Sequence, residues 1–97
     1  MPTYVTLLKF TDQGIRNVKG TVQRTEANKQ AAAQAGVSVK DVFWVQGQYD
    51  IVAVSEAPDE ATAMAFALNI GKAGNATTQT MRAFSAAEME AILAKVA

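Results

Sequence analysis

The sequence contains no cysteine and no histidine among its 97 residues. Without cysteine it can form no disulfide, supply no thiolate nucleophile and offer no sulfur ligand to a metal. Without histidine it lacks the side chain that titrates near neutral pH and the most common metal ligand. These absences exclude histidine-dependent triads, zinc-dependent hydrolysis and histidine general-base mechanisms, and we expect neither a metal nor a cofactor.

An excess of one charge and long apolar runs are also lacking. The net charge is zero, so the sequence gives no sign of the clearly basic face that nucleic-acid binding usually requires. No uninterrupted apolar segment reaches about 18 residues, and the first ten residues do not have the pattern of a signal peptide. We therefore expect a cytoplasmic protein that binds neither nucleic acid nor a membrane.

Apolar residues, in contrast, are plentiful, at 49% of a chain the length of one small domain. We predict a single domain over residues 1–97. A chain this short buries only about two thirds of its extended surface on folding. Apolar surface that remains after folding therefore favours association with another chain.

The central feature of the sequence is residues 42–54, two apolar segments joined by a turn from Gly47 to Asp50, which indicates a β-hairpin. The predicted strands cover residues 4–10, 37–46, 51–55 and 76–84. The first predicted helical region covers residues 12–35 and has a break near Gly20. A second helix has Pro58 in its first turn, and a last helix starts at a capping box of Ser85 and Glu88. With right-handed crossovers, this order predicts a ferredoxin-like βαββαβ sandwich of the α+β class. It has a four-stranded antiparallel sheet and an extra C-terminal helix.

Apolar spacing also predicts which side of each helix is buried. The predicted inner positions are Ile15, Val18, Val22 and Thr25 in the first helical region, Ala61, Met64, Ala65, Leu68 and the Lys72 stem in the second, and Met89, Ile92, Leu93 and Val96 in the last.

The predicted strands are apolar on both faces. Val42 and Trp44 project to one side of the second strand, and Phe43 and Val45 project to the other. An antiparallel sheet with one face in water should instead alternate apolar with polar residues. We therefore expect the second face to be covered by another copy or by the terminal helix, and we infer a homo-oligomer that associates through its sheet faces.

Several blocks of sequence carry a family resemblance: TDQGIRNVK from Thr11, then Arg24, then GQYDIVAVSEAPDEATA from Gly47 and GNATTQTMRAFSAAE from Gly74. Together they resemble the GYD domain family, named for its Gly-Tyr-Asp turn. The resemblance implies the dimeric α/β barrel variant of the fold and an uncharacterised biochemical activity. The chain departs from many relatives in lacking a proline before Arg24. The hairpin also resembles the ligand-binding domains of Lrp/AsnC-type regulators, which bind small molecules at subunit interfaces.

Six residues are candidates for contacting a small ligand: Tyr4, Arg16, Trp44, Tyr49, Asp50 and Arg82. The three aromatic side chains could line a pocket, but they are also typical of a core or an interface. Arg16, together with Lys19 and Arg24, could hold an anion or lie on a solvated helix face.

Asp50 and Arg82 each have two interpretations. Asp50 either bonds backbone amides of its own turn or acts beside Trp44 and Tyr49 as a base or a ligand contact. Arg82, on the polar fourth strand, either pairs with an acid such as Asp50 or a ligand, or protects an exposed edge.

We predict a cytoplasmic, homo-oligomeric small-molecule-binding module whose biochemical activity is unknown. One alternative is a cofactor-free oxygenase or isomerase, similar to other dimeric α/β barrel proteins, that uses Tyr49, Asp50 or Arg82 in one water-poor cavity. A purely structural partner protein is the other. No catalytic residue is assigned.

Overall fold

The computed structural model describes residues 1–97 and confirms the predicted order of elements. The strands are β1 (Thr3–Phe10), β2 (Ser38–Trp44), β3 (Ile51–Glu56) and β4 (Ala76–Ala83); the helices are α1 (Asp12–Arg16), a 3₁₀ turn (Val18–Gly20), α2 (Thr21–Gln34), α3 (Glu60–Lys72) and α4 (Ala86–Leu93). The strands form one antiparallel sheet in the order β2-β3-β1-β4. This is the ferredoxin-like arrangement, with β4 at an edge. In the hairpin turn, Gly47 has a φ of +114°, a conformation that a β-carbon disfavours.

The first helical region breaks near Gly20, as predicted. The 3₁₀ turn separates α1 from α2, although α2 begins at Thr21 and therefore earlier than the predicted second piece. The predicted inner side is wrong, because Ile15 and Val22 are 55% and 63% exposed. The 3₁₀ turn interrupts the helical periodicity, so spacing counted across it does not define one face.

Helix α3 begins after the N-cap residue Asp59, whose side chain accepts a hydrogen bond from the Thr62 amide at 2.7 Å. The prediction that Pro58 lies in the first turn is wrong, because Pro58 precedes this cap. The predicted inner face is also wrong. The residues that face the sheet are Ala63, Phe66, Ala67 and Ile70, whereas Met64 and Leu68 are exposed. Both sides of α3 are apolar, and the side with Ala63 and Ala67 permits the closer approach to the sheet.

Helix α4 begins at the predicted capping box, in which the Ser85 and Glu88 side chains bond each other's backbone amides. Its apolar side remains exposed, with Met89 44% and Leu93 54% accessible. The terminal helix therefore does not cover the second face of the sheet, where Phe43 is 59% exposed. None of the helices is both long and apolar enough to cross a bilayer.

The core lies between the sheet and the helices and is small. One cluster surrounds Tyr4 and Val37, and a second joins Leu8 with Ile51 and Ala76. Only 11 of the 97 residues are buried. The opposite surface, which we call the open face, consists of Val5, Leu7, Phe43, Val52, Val54 and Met81 with their polar neighbours. The chain alone therefore leaves a continuous apolar sheet face without a partner.

Candidate functional site

A cleft lies between α2 and α3 above the sheet. It comprises two adjoining sections that are open to solvent and share lining residues from both helices and from the sheet. The shared residues are Leu8, Thr25, Asn28, Ile51 and Ile70. Helix α2 leaves this space because it carries polar side chains and alanines, and its only buried residue is Ala32. Without large apolar side chains, α2 cannot fill the gap above the sheet.

The cleft combines an apolar floor with a polar wall. Leu8 and Ile51 lie on the floor, and Phe66 and Ile70 of α3 form an apolar wall. On the opposite wall α2 contributes hydroxyl and amide groups together with two cations, Arg24 and Lys29; no aspartate or glutamate lines either section. The cleft therefore suits a molecule with an apolar body. The side chains that line the cleft carry a net positive charge.

Arg24 occupies one end of the cleft and is held by the break before α2. Its Nη1 donates a hydrogen bond to the Asn17 carbonyl oxygen at 2.8 Å. A β-carbon at Gly20 would lie 3.2 Å from the same nitrogen, so glycine leaves room for the guanidinium. The other terminal nitrogen, Nη2, is buried and has no hydrogen-bond partner. The break between α1 and α2 thus positions a cation, and the protein leaves one of the cation's hydrogen-bond donors unused.

Two of the predicted aromatic residues lie on the helix side of the sheet. Trp44 donates from Nε1 to the Thr21 hydroxyl at 3.1 Å, and Thr21 is a residue of the cleft. Tyr4 is buried in the core, and its hydroxyl has no partner. Tyr4 lines a separate, shallow hollow with Arg82. Trp44 is therefore next to the cleft, whereas Tyr4 is not part of it.

Asp50 fastens the hairpin turn to the end of β1. Its Oδ2 accepts a hydrogen bond from the Phe10 amide at 2.8 Å, and its own amide donates to the Leu8 carbonyl at 2.9 Å. The geometry fits the interpretation in which the Asp50 carboxylate bonds a backbone amide. That amide belongs to β1, however, and not to the turn that contains Asp50.

Tyr49 and Arg16 lie outside the cleft. The Tyr49 hydroxyl donates to Gln79 Oε1 at 2.8 Å, and Gln79 is paired with Leu7 of the open face. Arg16 is exposed, with its Nε 3.4 Å from the Asp12 carbonyl oxygen.

Arg82 is bound by its own neighbours. Its Nη2 lies 3.0 Å from Glu88 Oε2, and its guanidinium carbon lies 4.4 Å from the centre of the Phe84 ring. Arg82 pairs with Tyr4 at one end of β1, whereas Asp50 contacts Phe10 six residues further along, or about 20 Å at strand spacing. Asp50 is therefore not the partner of Arg82.

The same separation bears on the oxygenase or isomerase alternative. That hypothesis needs Tyr49, Asp50 and Arg82 to meet in one cavity. In the structure, Tyr49 bonds a residue of the open face, Asp50 bonds the end of β1, and Arg82 is paired at the opposite end of the sheet. One chain does not assemble the proposed catalytic group.

The carboxyl groups with displaced pKa values serve as helix caps. Hydrogen bonds from the backbone and side chain of Thr62 lower the pKa of Asp59. The Ser85 backbone amide, followed by the Arg82 side chain, lowers the pKa of Glu88. Neither acid lines the cleft. No group of three acidic side chains is arranged to hold a metal ion.

Sequence reasoning missed most of the cleft. Arg24 was considered only as one of three basic residues, and Thr25, Asn28 and Lys29 were not candidates. A usable signal was present, because α2 is polar on nearly every side although it covers a sheet. Such a helix is expected to border a cavity or solvent and not a packed core.

Comparisons with known proteins agree with this architecture. The chain is 35% identical over 94 residues to the glutamine synthetase and cystathionine beta-lyase binding protein of Thermus thermophilus, covering 96% of this chain and 99% of that protein. The crystal structure of TTHA0845, also from Thermus thermophilus, matches 89% of this chain and 96% of its own at 25% identity and a TM-score of 0.56. A hypothetical protein from Pyrococcus horikoshii matches 88% of this chain and 92% of its own at 22% identity and a TM-score of 0.57.

The relatives and the fold agree with the sequence blocks around the Gly-Tyr-Asp turn. The sequence model of the GYD domain matches residues 4–93, which is nearly the entire chain. The chain therefore belongs to the GYD domain family.

Proposed function

We propose that this GYD domain is a binding module that holds a small organic molecule in the cleft between α2 and α3. The observation that carries the proposal is the cleft itself, which lies between two separated helices and above apolar residues of the strands. Ligand sites are commonly concave and mostly apolar, with a few polar groups that orient the ligand. This cleft combines those properties.

A molecule in the cleft would cover apolar surface that the fold leaves open. Leu8 and Ile51 provide the floor, while Thr25 and Asn28 provide hydroxyl and amide groups at the side. Apolar burial contributes about 25 cal/mol per Å², and any ligand that binds only the folded state raises its stability by mass action. Ligand binding is therefore expected to raise the unfolding temperature.

Native mass spectrometry tests the proposal after incubation with a small-molecule extract of host cells. Wild-type protein is expected to retain a molecule and to unfold at a higher temperature in the extract. Thr25→Phe should place an aromatic ring in the shared part of the cleft and abolish both effects, because the ring occupies the ligand volume. Gln23→Phe adds the same ring at an exposed position of α2 and should leave both effects unchanged.

Two results would contradict the proposal. One is the absence of any bound molecule together with no thermal shift. The other is retention of the same molecule by the Thr25→Phe variant with unchanged stoichiometry, which would place the ligand elsewhere.

We also propose that the module is a homodimer in which the open faces of two copies stack as in the dimeric α/β barrel. Val52 lies between Leu7 and Phe43 in the register, so apolar residues are continuous across three strands. Water-exposed antiparallel faces usually carry polar residues, and large exposed apolar patches mark interaction sites. A second copy supplies a self-complementary partner for such a patch.

A second candidate function is the binding of a metabolic enzyme. The observation in its favour is the 35% identical relative, which is described as binding glutamine synthetase and cystathionine beta-lyase. The open face would be the contact surface, in competition with self-association. Analytical ultracentrifugation of the chain with each purified enzyme tests this candidate. Separate sedimentation at micromolar concentrations would count against it.

A further inference from the structure

We propose that the cleft ligand carries a carboxylate on an apolar body and that Arg24 binds this carboxylate. The inference rests on the proposed ligand cleft and adds the chemical class of the ligand and the residue that recognises it.

Arg24 is a charged group on the polar wall of the cleft, and one of its donors is unused. Its Nη1 is occupied by the Asn17 carbonyl oxygen, and its Nη2 is buried without an acceptor. A buried donor without a partner is costly, and the cost is greater for a charged group. Such groups in native proteins usually bind an ion, a water molecule or a ligand. A carboxylate that enters the cleft can accept this bond once the guanidinium turns so that Nη2 faces the cleft.

The charges around the cleft favour an anion. Lys29 lines the adjoining section, and its Nζ lies 4.0 Å from Glu26, the limit of an ion pair between exposed side chains. Such exposed pairs contribute little, so Lys29 retains most of its effect on the cleft potential. Since no acidic residue lines either section, Arg24 and Lys29 both make the electrostatic potential in the cleft more positive.

The remaining lining distinguishes a carboxylate from a phosphate. Phe10, Leu8, Ile51 and Ile70 contribute apolar surface next to Arg24. Phosphate usually requires several backbone amides or a cluster of cations, whereas a single guanidinium is sufficient to bind a carboxylate. Asn28 and Thr21 supply neutral groups for the rest of the molecule. An organic acid with a hydrocarbon body therefore fits this lining better than a free phosphate.

Calorimetric titration with matched probes tests the inference. The probes are benzoate, phenylacetate and hexanoate, their uncharged amides, and inorganic phosphate. In wild-type protein at least one acid is expected to bind roughly ten-fold to a hundred-fold more tightly than its amide, the range expected for a hydrogen bond to a charged group. Inorganic phosphate should bind more weakly than that acid.

Variants locate the effect at Arg24. Arg24→Gln should remove the preference for the acid over its amide without reducing amide binding. Arg24→Lys should restore part of the preference because it retains the charge, and Lys29→Gln should reduce it only slightly. Thermal unfolding of each variant without probe verifies folding.

The outcomes separate this inference from the proposed function. Equal binding of acid and amide, tighter binding of phosphate, no binding of any acid, or an unchanged preference in Arg24→Gln would overturn the role of Arg24. In each of these cases the cleft would remain a ligand site if Thr25→Phe still abolished retention of the molecule found by mass spectrometry.

Discussion

Gly14 lies where α1 meets the loop before β4. A β-carbon at this position would lie 1.9 Å from the Asn75 carbonyl oxygen, which is far inside van der Waals contact. The same oxygen accepts a hydrogen bond from the Thr11 amide at 3.1 Å. Backbone therefore packs directly on backbone, and only glycine permits the contact.

We expect Gly14→Ala to destabilise the fold by about 1–3 kcal/mol, the usual cost of overpacking. Gly71→Ala is the matched control, because it lies in α3 and its β-carbon would meet no atom within 4 Å. The control should stabilise the protein by up to about 1 kcal/mol through helix propensity. Urea unfolding measures both changes, and equal stability of the two variants would argue against this contact.

Individual residues were the least predictable part of the site. The sequence indicated that Asp50 belongs to a turn, but only the pairing of β1 with β3 places the Phe10 amide beside its carboxylate. Arg82 likewise has Glu88 as its partner because α4 begins directly after β4. Which charged groups meet depends on how the strands pair and where each helix begins, and residue type alone does not determine it.

At the scale of elements, α4 depends on local interactions more than on packing. Its N-terminus is fixed by the capping box of Ser85 and Glu88, while its apolar residues remain largely exposed. A cap bond from the Ser85 amide to Glu88, supported by Arg82, lowers the pKa of the Glu88 carboxyl group. The ionised form is therefore the one that stabilises the start of α4.

The linked pH dependence has a definite sign. Because the folded pKa of Glu88 is lowered, its contribution is fully present above the unfolded pKa and is lost as pH falls through the folded value. Amide hydrogen exchange should show α4 opening more often in acid, before the sheet loses protection. Glu88→Gln should reduce this pH dependence. Glu90→Gln should retain it, because the Glu90 side chain makes no cap contact and only its backbone carbonyl accepts the bond from the Ala94 amide. An identical acid response in both variants would contradict the assignment.

For the whole molecule, the proposed dimer depends on the open face. Phe43→Asp places a charge at an exposed apolar position of this face, and burying that charge in an interface would be costly. We expect the variant to sediment as a monomer, with wild type as a dimer. Val22→Asp, at an exposed apolar position of α2, should remain dimeric. A monomeric wild type, or a dimeric Phe43→Asp variant, would exclude this face as the dimer contact.

The sequence by itself determined the order of elements, the central hairpin, the break near Gly20, the capping box and the family. Each depends on neighbouring residues: turn glycines, cap side chains and alternating apolar positions. Only the tertiary structure decided which side of α3 faces the sheet, and it placed Arg24 in a cleft beneath α2. These features arise from how closely separate segments approach, because two apolar helix faces look equivalent until a sheet packs against one of them.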